Sequence, residues 1–285
     1  MAPLHVRGNW LAYRAAFGLL VASICSVAAQ EDPEAKGRLE LMQSALASLE
    51  LESSEVKAKG ALSFVSKPLL RYSDPTRGGI KTEAANNVLL DAGVWRLGAE
   101  GRPTALVTLE IYEFPDRSRA LSFEFLSLAE AKFSLKHKTE NISWDATASG
   151  LTLKELPDAP KPASTAPARL AQMRQLVRRF AAKERFNNES IGCRLLAQPI
   201  DRYQSPADKI VDGAIFAFAN GTNPELGVVF EADGEHWLYG IIRLTAAESS
   251  VTLDGRQVMA FERFSARGRR DGPYNSASYK IEPER

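Results

Sequence analysis

The chain has 285 residues, with 36 Lys and Arg against 35 Asp and Glu, and a formal net charge of +1. This length suits one large domain or two small ones, and the charge balance gives no global attraction to nucleic acid. The three histidines and two cysteines do not have zinc-ligand spacing,. A P-loop, a dinucleotide fingerprint and a Gly-x-Ser-x-Gly elbow are also absent from the sequence. The sequence therefore predicts no metal, no cofactor and no nucleic-acid partner.

Residues 1–29 have the composition of a secretory signal peptide. Arg7 and Arg14 precede an uncharged run from Ala15 to Ala29, which ends in the small residues that a signal peptidase needs,. The run is short for a membrane span, although retention as an anchor is the alternative. Removing it leaves 34 basic against 35 acidic side chains. We therefore predict an exported protein of the periplasm or cell surface, with no stable membrane span after cleavage.

The first half of the mature chain, residues 30–155, begins with a predicted helix. Asp32 can cap it and Pro33 suits its first turn. Apolar residues then recur at helical spacing, at Leu39, Met42, Leu46 and Leu49,.

Strands are predicted to follow this helix. Residues 61–65 alternate, and Pro68 indicates an edge or a kink. Residues 88–97 and 104–112 predict a β-hairpin, and further strands are expected at 121–128 and within 132–153.

Residues 156–167 contain four prolines and predict an extended connector between two halves,. The second half, residues 168–263, is predicted to open with a basic helix that ends at Asn187-Asn188. Its apolar stripe consists of Leu170, Met173, Val177 and Phe180. Strands are expected at 192–198, 213–219, 226–231, 237–244, 249–253 and 257–262. Residues 264–285 are predicted to be a loose C-terminal tail.

This order of elements predicts an α+β fold of antiparallel β-meanders with two main amphipathic helices, because short turns rather than crossover helices join the strands. The first helix is mainly acidic and the second strongly basic. Opposite charge favours their approach to each other, within one molecule or between two. The alternative is that the two helix faces are solvated separately.

A repeated phrase predicts two tandem similar halves. Pro68 to Pro75 and Pro199 to Pro206 share Pro, an aliphatic residue, any residue, Arg, Tyr, two free positions and Pro. Upstream without a gap, Leu39 falls on Leu170, and downstream Gly93–Gly101 faces Gly213–Gly221. Internal repeats of this kind usually mark repeated structural units. The alternative is a chance match between two α+β segments.

The repeated phrase also supplies the candidate ligand-binding residues, Arg71, Tyr72, Arg202 and Tyr203. If the halves meet about a pseudo-twofold axis, both pairs could flank one cleft and bind an anion or a sugar. The alternative is a tyrosine packed on the core with its hydroxyl bonded to backbone, beside a solvated or ion-paired arginine. No catalytic residue and no metal ligand is predicted.

Five phrases resemble a group of hypothetical exported proteins of planctomycete-type bacteria. They are Leu-Arg-Tyr-Ser-Asp-Pro-Thr-Arg-Gly, Gly-Val-Trp-Arg-Leu, Leu-Pro-Asp-Ala-Pro, Gln-Pro-Ile-Asp-Arg-Tyr and Ala-Asn-Gly-Thr-Asn-Pro-Glu-Leu. The resemblance spans roughly residues 60 to 255. It carries no assigned activity, so it implies export but supplies no site residues.

Other reactive side chains have structural interpretations. His137 and His236 have no partner motif, and Asp233-Gly-Glu-His236 is explained better as a polar turn than as a metal site. Cys193 is the only cysteine outside the signal, and its apolar neighbours predict burial in a strand,. Trp95 and Trp237 are expected in the core.

The function favoured by the sequence is a non-catalytic binding or interaction module, because export is indicated and no catalytic motif is present. Its partner is an unknown protein or small-molecule ligand. One alternative is a hydrolase-type enzyme with a carboxylate site between the halves. Another is a carrier of an apolar ligand, since a curved meander under a helix can enclose a cavity. A polar cleft with convergent carboxylates would favour the enzyme, a large apolar cavity the carrier, and a filled core the interaction module.

Overall fold

The computed structural model describes residues 33–52, 63–74, 87–186, 189–266 and 268–281. The predicted signal peptide and the predicted strand residues 61 and 62 lie outside these ranges. Two α-helices are present in the described chain, α1 over Pro33–Ala47 and α2 over Ala166–Leu176. A 3-10 turn over Val177–Arg179 follows α2, and another covers Pro206–Asp208.

The strands before α2 are Leu49–Glu52 (β1), Leu70–Asp74 (β2), Val88–Leu97 (β3), Ala105–Glu113 (β4), Arg119–Ser127 (β5), Phe133–His137 (β6), Ser143–Ala146 (β7) and Lys154–Glu155 (β8). Those after it are Phe180–Phe186 (β9), Glu189–Leu195 (β10), Asp201–Ser205 (β11), Ile210–Asn220 (β12), Asn223–Ala232 (β13), Trp237–Arg243 (β14), Glu248–Leu253 (β15), Arg256–Phe261 (β16) and Tyr274–Ile281 (β17). All pairs between these strands are antiparallel, and the protein is α+β as predicted.

Two meanders of four strands dominate the sheets. One runs β2-β3-β4-β5 and carries β17 on its outer edge, giving the order β17-β5-β4-β3-β2. The other runs β11-β12-β13-β14 and is extended through β10 to β9, β15 and β16, and through β14 to β8. A small third sheet has the order β1-β6-β7. Pro68 lies two residues before β2, which is an edge strand, and proline with its missing N–H suits such a position,.

Three apolar layers hold the sheets together. The first packs α1 and the small sheet on the outer face of the first meander, through Met42, Trp95 and Trp144 among others. The second packs α2 and the curled β9–β15 pair on the outer face of the second meander. The third lies between the meanders and takes side chains from both, including Leu106 and Val229. Strands β12 and β13 are therefore buried on both faces, and their sequences are nearly continuous apolar runs,.

Both helices are shorter than the sequence predicts. Leu49, placed in the first helical stripe, begins β1, because Leu-Glu-Leu-Glu alternates with the period of a strand,. The second helix ends at Leu176, so Val177 lies in a 3-10 turn and Phe180 begins β9. In β9, Phe180, Ala182 and Glu184 face inward while the residues between them face solvent. The predicted helix end at Asn187-Asn188 lies outside the described residues.

Several strands appear where the sequence predicts none, among them β11 and β17. Strand β11 contains the second Arg-Tyr pair, and β17 lies within the predicted loose tail. Strand β17 pairs with β5 over its whole length. Its polar, small-residue sequence carries little strand signal, so backbone pairing with an already formed sheet edge decides its conformation.

The two helices do not share a packing layer. Helix α1 contributes to the first apolar layer and α2 to the second, on the outer faces of different meanders. Leu156, the first residue of the predicted connector, donates its N–H to the Trp237 carbonyl of β14, 2.8 Å away, and the last two residues of the connector, Ala166 and Pro167, form the start of α2. Among the described residues, neither helix is long and apolar enough to cross a membrane.

Candidate functional site: paired ionic networks and a glutamate pocket

The first Arg-Tyr pair belongs to a network that fastens α1 to the first meander. The Arg71 guanidinium donates to both carboxylate oxygens of Asp91 on β3, at 3.0 and 2.6 Å, and to the Ala35 carbonyl in α1. Arg38, one turn along α1, donates from Nε to the same carboxylate at 3.3 Å. We call Arg38, Arg71, Tyr72, Asp91 and Glu110 the first network.

The second Arg-Tyr pair makes the same bonds in the other meander. Arg202 donates to both oxygens of Asp212 on β12, at 3.0 and 2.7 Å, and to the Ala166 carbonyl in α2 at 2.7 Å. Arg169, on α2, donates from Nε to Asp212 at 2.9 Å. We call Arg169, Arg202, Tyr203, Asp212 and Glu231 the second network.

The tyrosines of both networks face the layer between the meanders. Tyr72 donates its hydroxyl to Glu110 Oε1 at 3.0 Å, and Tyr203 donates to Glu231 Oε1 at 2.8 Å. Burial raises the pKa of each phenol, and the adjacent carboxylate raises it further. Both tyrosines therefore remain neutral hydrogen-bond donors at any physiological pH.

These contacts favour the structural interpretation of the four predicted site residues. The arginines lie beneath different helices on opposite outer faces, so the structure does not bring them into one cleft. Each guanidinium is bonded to a carboxylate within the chain. Each tyrosine is packed on the core as that interpretation expects, but its hydroxyl bonds a glutamate instead of backbone.

The two glutamates differ in their second partner. Arg102, from the turn between β3 and β4, crosses to the other meander and donates from Nε and Nη2 to the two oxygens of Glu231, both at 2.6 Å. Glu231 thus receives a bidentate guanidinium, the strongest common pairing of a carboxylate. Glu110 instead accepts a second phenol, from Tyr112, at 2.7 Å.

A cavity of about 280 Å³ opens beside Glu110, between the two meanders. We call it the glutamate pocket. Its carboxylates are Glu110 and Glu124 from the first meander and Glu184 from β9, and Asn223 at the start of β13 lies with them. Its remaining walls come from Tyr112, Arg185, Phe186, Leu244, Thr245, Ala246, Ala247, Arg263 and Phe264.

The carboxylates of the pocket differ in their surroundings. Removal from water raises the pKa of Glu124 well above its ordinary value, and the negative charge of Glu110 raises it further. Its Oε1 accepts the Ala246 N–H at 3.3 Å. Glu184 is only 2 % exposed and accepts the side-chain amide of Asn220 at 2.8 Å. The pocket therefore contains one carboxyl that holds its proton to higher pH than usual, beside two further buried carboxylates.

A wider groove of about 900 Å³ shares Glu184, Arg185 and Arg263 with the pocket. Ser249 on β15 lines this groove directly opposite Glu184 in the strand ladder. Its hydroxyl is buried and makes no hydrogen bond within the described chain. The inward-facing residues of β9 are Phe180 and Ala182, followed by Glu184. On the neighbouring strand β15, the inward-facing residues next to them are Leu253 and Val251, and Ser249 lies next to Glu184. The core thus ends in polar groups where the groove begins.

The sequence contained a signal for these glutamates that its interpretation missed. Glu110 stands in Ala-Leu-Val-Thr-Leu-Glu-Ile-Tyr, and Glu184 occupies an inward position of an alternating strand. A charged residue at an inward strand position is rare unless it is paired. Searching the strands for such residues would have found both.

The remaining reactive residues have structural roles. His137 is buried, which lowers its pKa, and its Nδ1 accepts the N–H groups of Thr139 and Glu140. Asp233 accepts two backbone N–H groups of its own turn, from Glu235 and His236. In the parts of the chain that the structure describes, no three His, Cys, Asp or Glu side chains converge as metal ligands do.

The two tryptophans and the cysteine lie in strands, as the sequence predicts. Trp95 and Trp237 are fully buried. Cys193 lies in β10, and it is half-buried rather than fully buried.

Comparison with known proteins adds no relative, since no family model, no curated protein and no solved structure gives a significant match to the chain.

Proposed function

We propose that the protein is an exported binding module of two similar halves that holds a small polar ligand in the glutamate pocket. One observation carries the proposal: a cavity between the meanders has carboxylates from both sides in its walls, beside an apolar cluster to which both meanders contribute. A cavity that is lined by buried carboxyl groups, one of them with a raised pKa, is typical of a ligand site,.

The likeness of the halves is supported by the two networks. Arg38, Arg71 and Tyr72 precede Arg169, Arg202 and Tyr203 by one constant number of positions. Asp91 and Glu110 precede Asp212 and Glu231 by a second constant number. The two meanders also have the same strand order. An experimental structure tests this directly: superposing β2–β5 on β11–β14 should bring Asp91 onto Asp212 and Glu110 onto Glu231, and any other pairing would reduce the repeat to coincidence.

Export is the second part of the proposal and rests on residues 1–29. Mass spectrometry of the protein from its native host should find a mature N-terminus at Gln30 or within a few residues. Recovery of the intact chain from Met1 in the membrane fraction would replace export by anchoring.

Binding is tested on the mature protein with a panel of small organic cations, amino sugars and neutral sugars, each scored by its effect on the melting temperature. A compound that binds the pocket should stabilise the wild type and lose this effect in Glu110→Gln and Glu124→Gln. Glu248→Gln is the matched control, since Glu248 is an exposed groove residue. If no compound of the panel stabilises the wild type, the proposal fails.

One observation favours a hydrolase as the second candidate. Glu124 and Glu110 form a carboxyl pair in which one member has a raised pKa, and such pairs supply the acid and the base of glycoside hydrolysis. Incubating the protein with each stabilising compound decides between the two functions. A binding module returns the compound unchanged in mass, whereas a hydrolase releases a fragment and loses that activity in Glu124→Gln.

A further inference from the structure

A separate cavity of about 220 Å³ lies beside the guanidinium of Arg243. We call it the arginine pocket. Its walls come from β5, β14, β16 and β17, from Gly150 and from the segment that leads into β17. Of its described lining residues, Phe264 alone also lines the glutamate pocket. It is therefore a different site, and an inference about it does not depend on the proposed function.

The guanidinium of Arg243, the last residue of β14, is fixed by backbone carbonyls. Its Nε donates to the Thr245 carbonyl at 2.9 Å, and its Nη2 donates to the carbonyls of Ala247 and Glu262 at 3.2 and 3.3 Å. Its Nη1 makes no hydrogen bond within the described chain and is not enclosed by it. One nitrogen with two N–H groups is thus held in position and remains accessible to a ligand.

Three aromatic rings surround this guanidinium. Its Cζ lies 4.5 Å from the ring centroid of Tyr274, 5.4 Å from that of Phe261 and 5.8 Å from that of Phe264. The rings of Phe264 and Tyr274 pack edge to face, with their centroids 4.9 Å apart. Aromatic faces attract a cation, but they do not take the place of a carboxylate in the plane of the guanidinium. The edge that carries Nη1 therefore still lacks an anion.

The positive charge of Arg243 is half-buried and has no counter-ion in ion-pair contact among the described residues. Removal from water lowers the pKa of Arg243, although Tyr274 and Glu124 act in the opposite direction. Glu124 itself has a raised pKa, so it carries its negative charge only at higher pH than usual. Asp271, the acid in the described wall, is exposed and paired with Arg269 at 3.6 Å. An anionic ligand would therefore meet a net positive wall.

We propose that the arginine pocket binds a small carboxylate with an aromatic or other apolar body, whose carboxylate accepts from Arg243 Nη1. A carboxylate forms charge-assisted hydrogen bonds with a guanidinium, and an aromatic body packs well against aromatic rings. The other walls include Leu126 and Pro273, which suit the same apolar body. Pockets for drug-sized molecules have about 300–1,000 Å³, so 220 Å³ suits a compact ligand with a single ring.

The experiment uses the full-length protein and three fluorinated probes, whose binding is followed by fluorine NMR at neutral pH. They are 4-fluorobenzoate, its neutral isostere 4-fluorobenzamide, and trifluoroacetate, a carboxylate without a ring. We expect 4-fluorobenzoate to bind at one site and both controls to bind at least about tenfold more weakly, since the charge and the ring are both required. Equal binding of the amide or of trifluoroacetate would overturn the inference, and so would a failure of 4-fluorobenzoate to bind.

Two variants of pocket arginines locate the binding. Arg243→Gln removes the charge, so 4-fluorobenzoate should then bind no more tightly than 4-fluorobenzamide. Arg269→Gln is the matched control, because Arg269 lines the same pocket but is exposed and already paired with Asp271. This control should bind 4-fluorobenzoate as the wild type does. Equal losses in both variants would reduce the effect to the general charge of this surface and would refute the proposed role of Arg243.

A measurement on the wild type stands beside these variants, because Arg243 also holds three carbonyls and Arg243→Gln must first be shown to fold by circular dichroism. The backbone amide signals of Gly150 and Gly272, which lie in the pocket wall, should shift on addition of 4-fluorobenzoate. The signal of Gly255, in the turn between β15 and β16, should stay in place. Binding that leaves Gly150 and Gly272 unshifted would place the carboxylate elsewhere and overturn the inference.

Discussion

The two networks make the same hydrogen bonds, but they are enclosed to different degrees. In the second, the Asp212 side chain is fully buried and Arg169 is 7 % exposed; in the first, Asp91 is 5 % and Arg38 is 19 % exposed. Glu231 is closed off by Arg102, whereas Glu110 borders a cavity. The described groups of the second network are thus more enclosed at Asp212 and Arg169 than their counterparts Asp91 and Arg38 are in the first.

The largest difference is expected when the aspartates are replaced. Asp212→Asn leaves Arg169 and Arg202 without a counter-ion, and removing one member of a buried pair costs about 3–5 kcal/mol. Asp91→Asn should cost less, about 1–3 kcal/mol, because Arg38 is more exposed than Arg169 and also pairs with Glu34,. Urea denaturation of both variants measures their free energies of unfolding. Equal losses would mean that the two networks are energetically alike.

Replacement of Arg102 tests how much its ion pair with Glu231 stabilises the second network. Arg102→Met leaves Glu231, which is 3 % exposed, bonded to Tyr203 alone, and we expect a loss of about 3 kcal/mol. The double variant with Glu231→Gln should recover most of this loss, because no charge then remains buried. A double-mutant cycle measures the coupling energy between Arg102 and Glu231. A coupling energy near zero would contradict a stabilising ion pair between them.

A glycine distinguishes the two tyrosine sites. Tyr203 lies opposite Gly213 on β12, and its ring occupies the space that a Cβ atom on Gly213 would need. Tyr72 lies opposite Ala92 on β3. Gly213→Ala should therefore cost about 1–3 kcal/mol through overpacking. The matched change Ala92→Gly should cost about 0.5–1 kcal/mol through chain entropy. Thermal melting of both variants measures the two stability losses. A Gly213→Ala variant as stable as wild type would show that the Tyr203 ring moves aside without cost.

The smallest effect concerns Glu124 and depends on pH. Because its folded-state pKa lies above the ordinary value of about 4.3,, the folded chain binds this proton more tightly than the unfolded chain, and wild type loses stability as pH rises between the two pKa values. Glu124→Gln has no such loss, so its melting temperature should exceed that of wild type increasingly with pH and match it near pH 4. The ionisable groups that act on Glu124 are Tyr72, Glu110, Glu225, Arg243 and Tyr274.

Glu248→Gln serves as the control for this measurement, because Glu248 is exposed. A Glu124→Gln difference that is constant with pH would show that the carboxyl is not perturbed by burial.

Local patterns were sufficient for those elements whose residues carry their own signal. Pro33 opens α1, and residues 88–97 and 105–113 form the expected hairpin. The Arg-Tyr phrases marked the two points around which the ionic networks form. Each of these depends on neighbours in sequence, through fixed φ angles, strand alternation and turn chemistry.

Elements that depend on distant partners could not be derived in this way. Strand β17 exists because β5 offers it a hydrogen-bonding edge, and the second helix ends early because Phe180 and Glu184 pair with β15. The sequence by itself determined an α+β chain of antiparallel strands and the two Arg-Tyr pairs. Only the tertiary structure decided that Asp91 and Asp212 bind those arginines and that Arg102 binds Glu231 in the opposite meander. These contacts join residues far apart in the chain, and no local periodicity encodes such pairings.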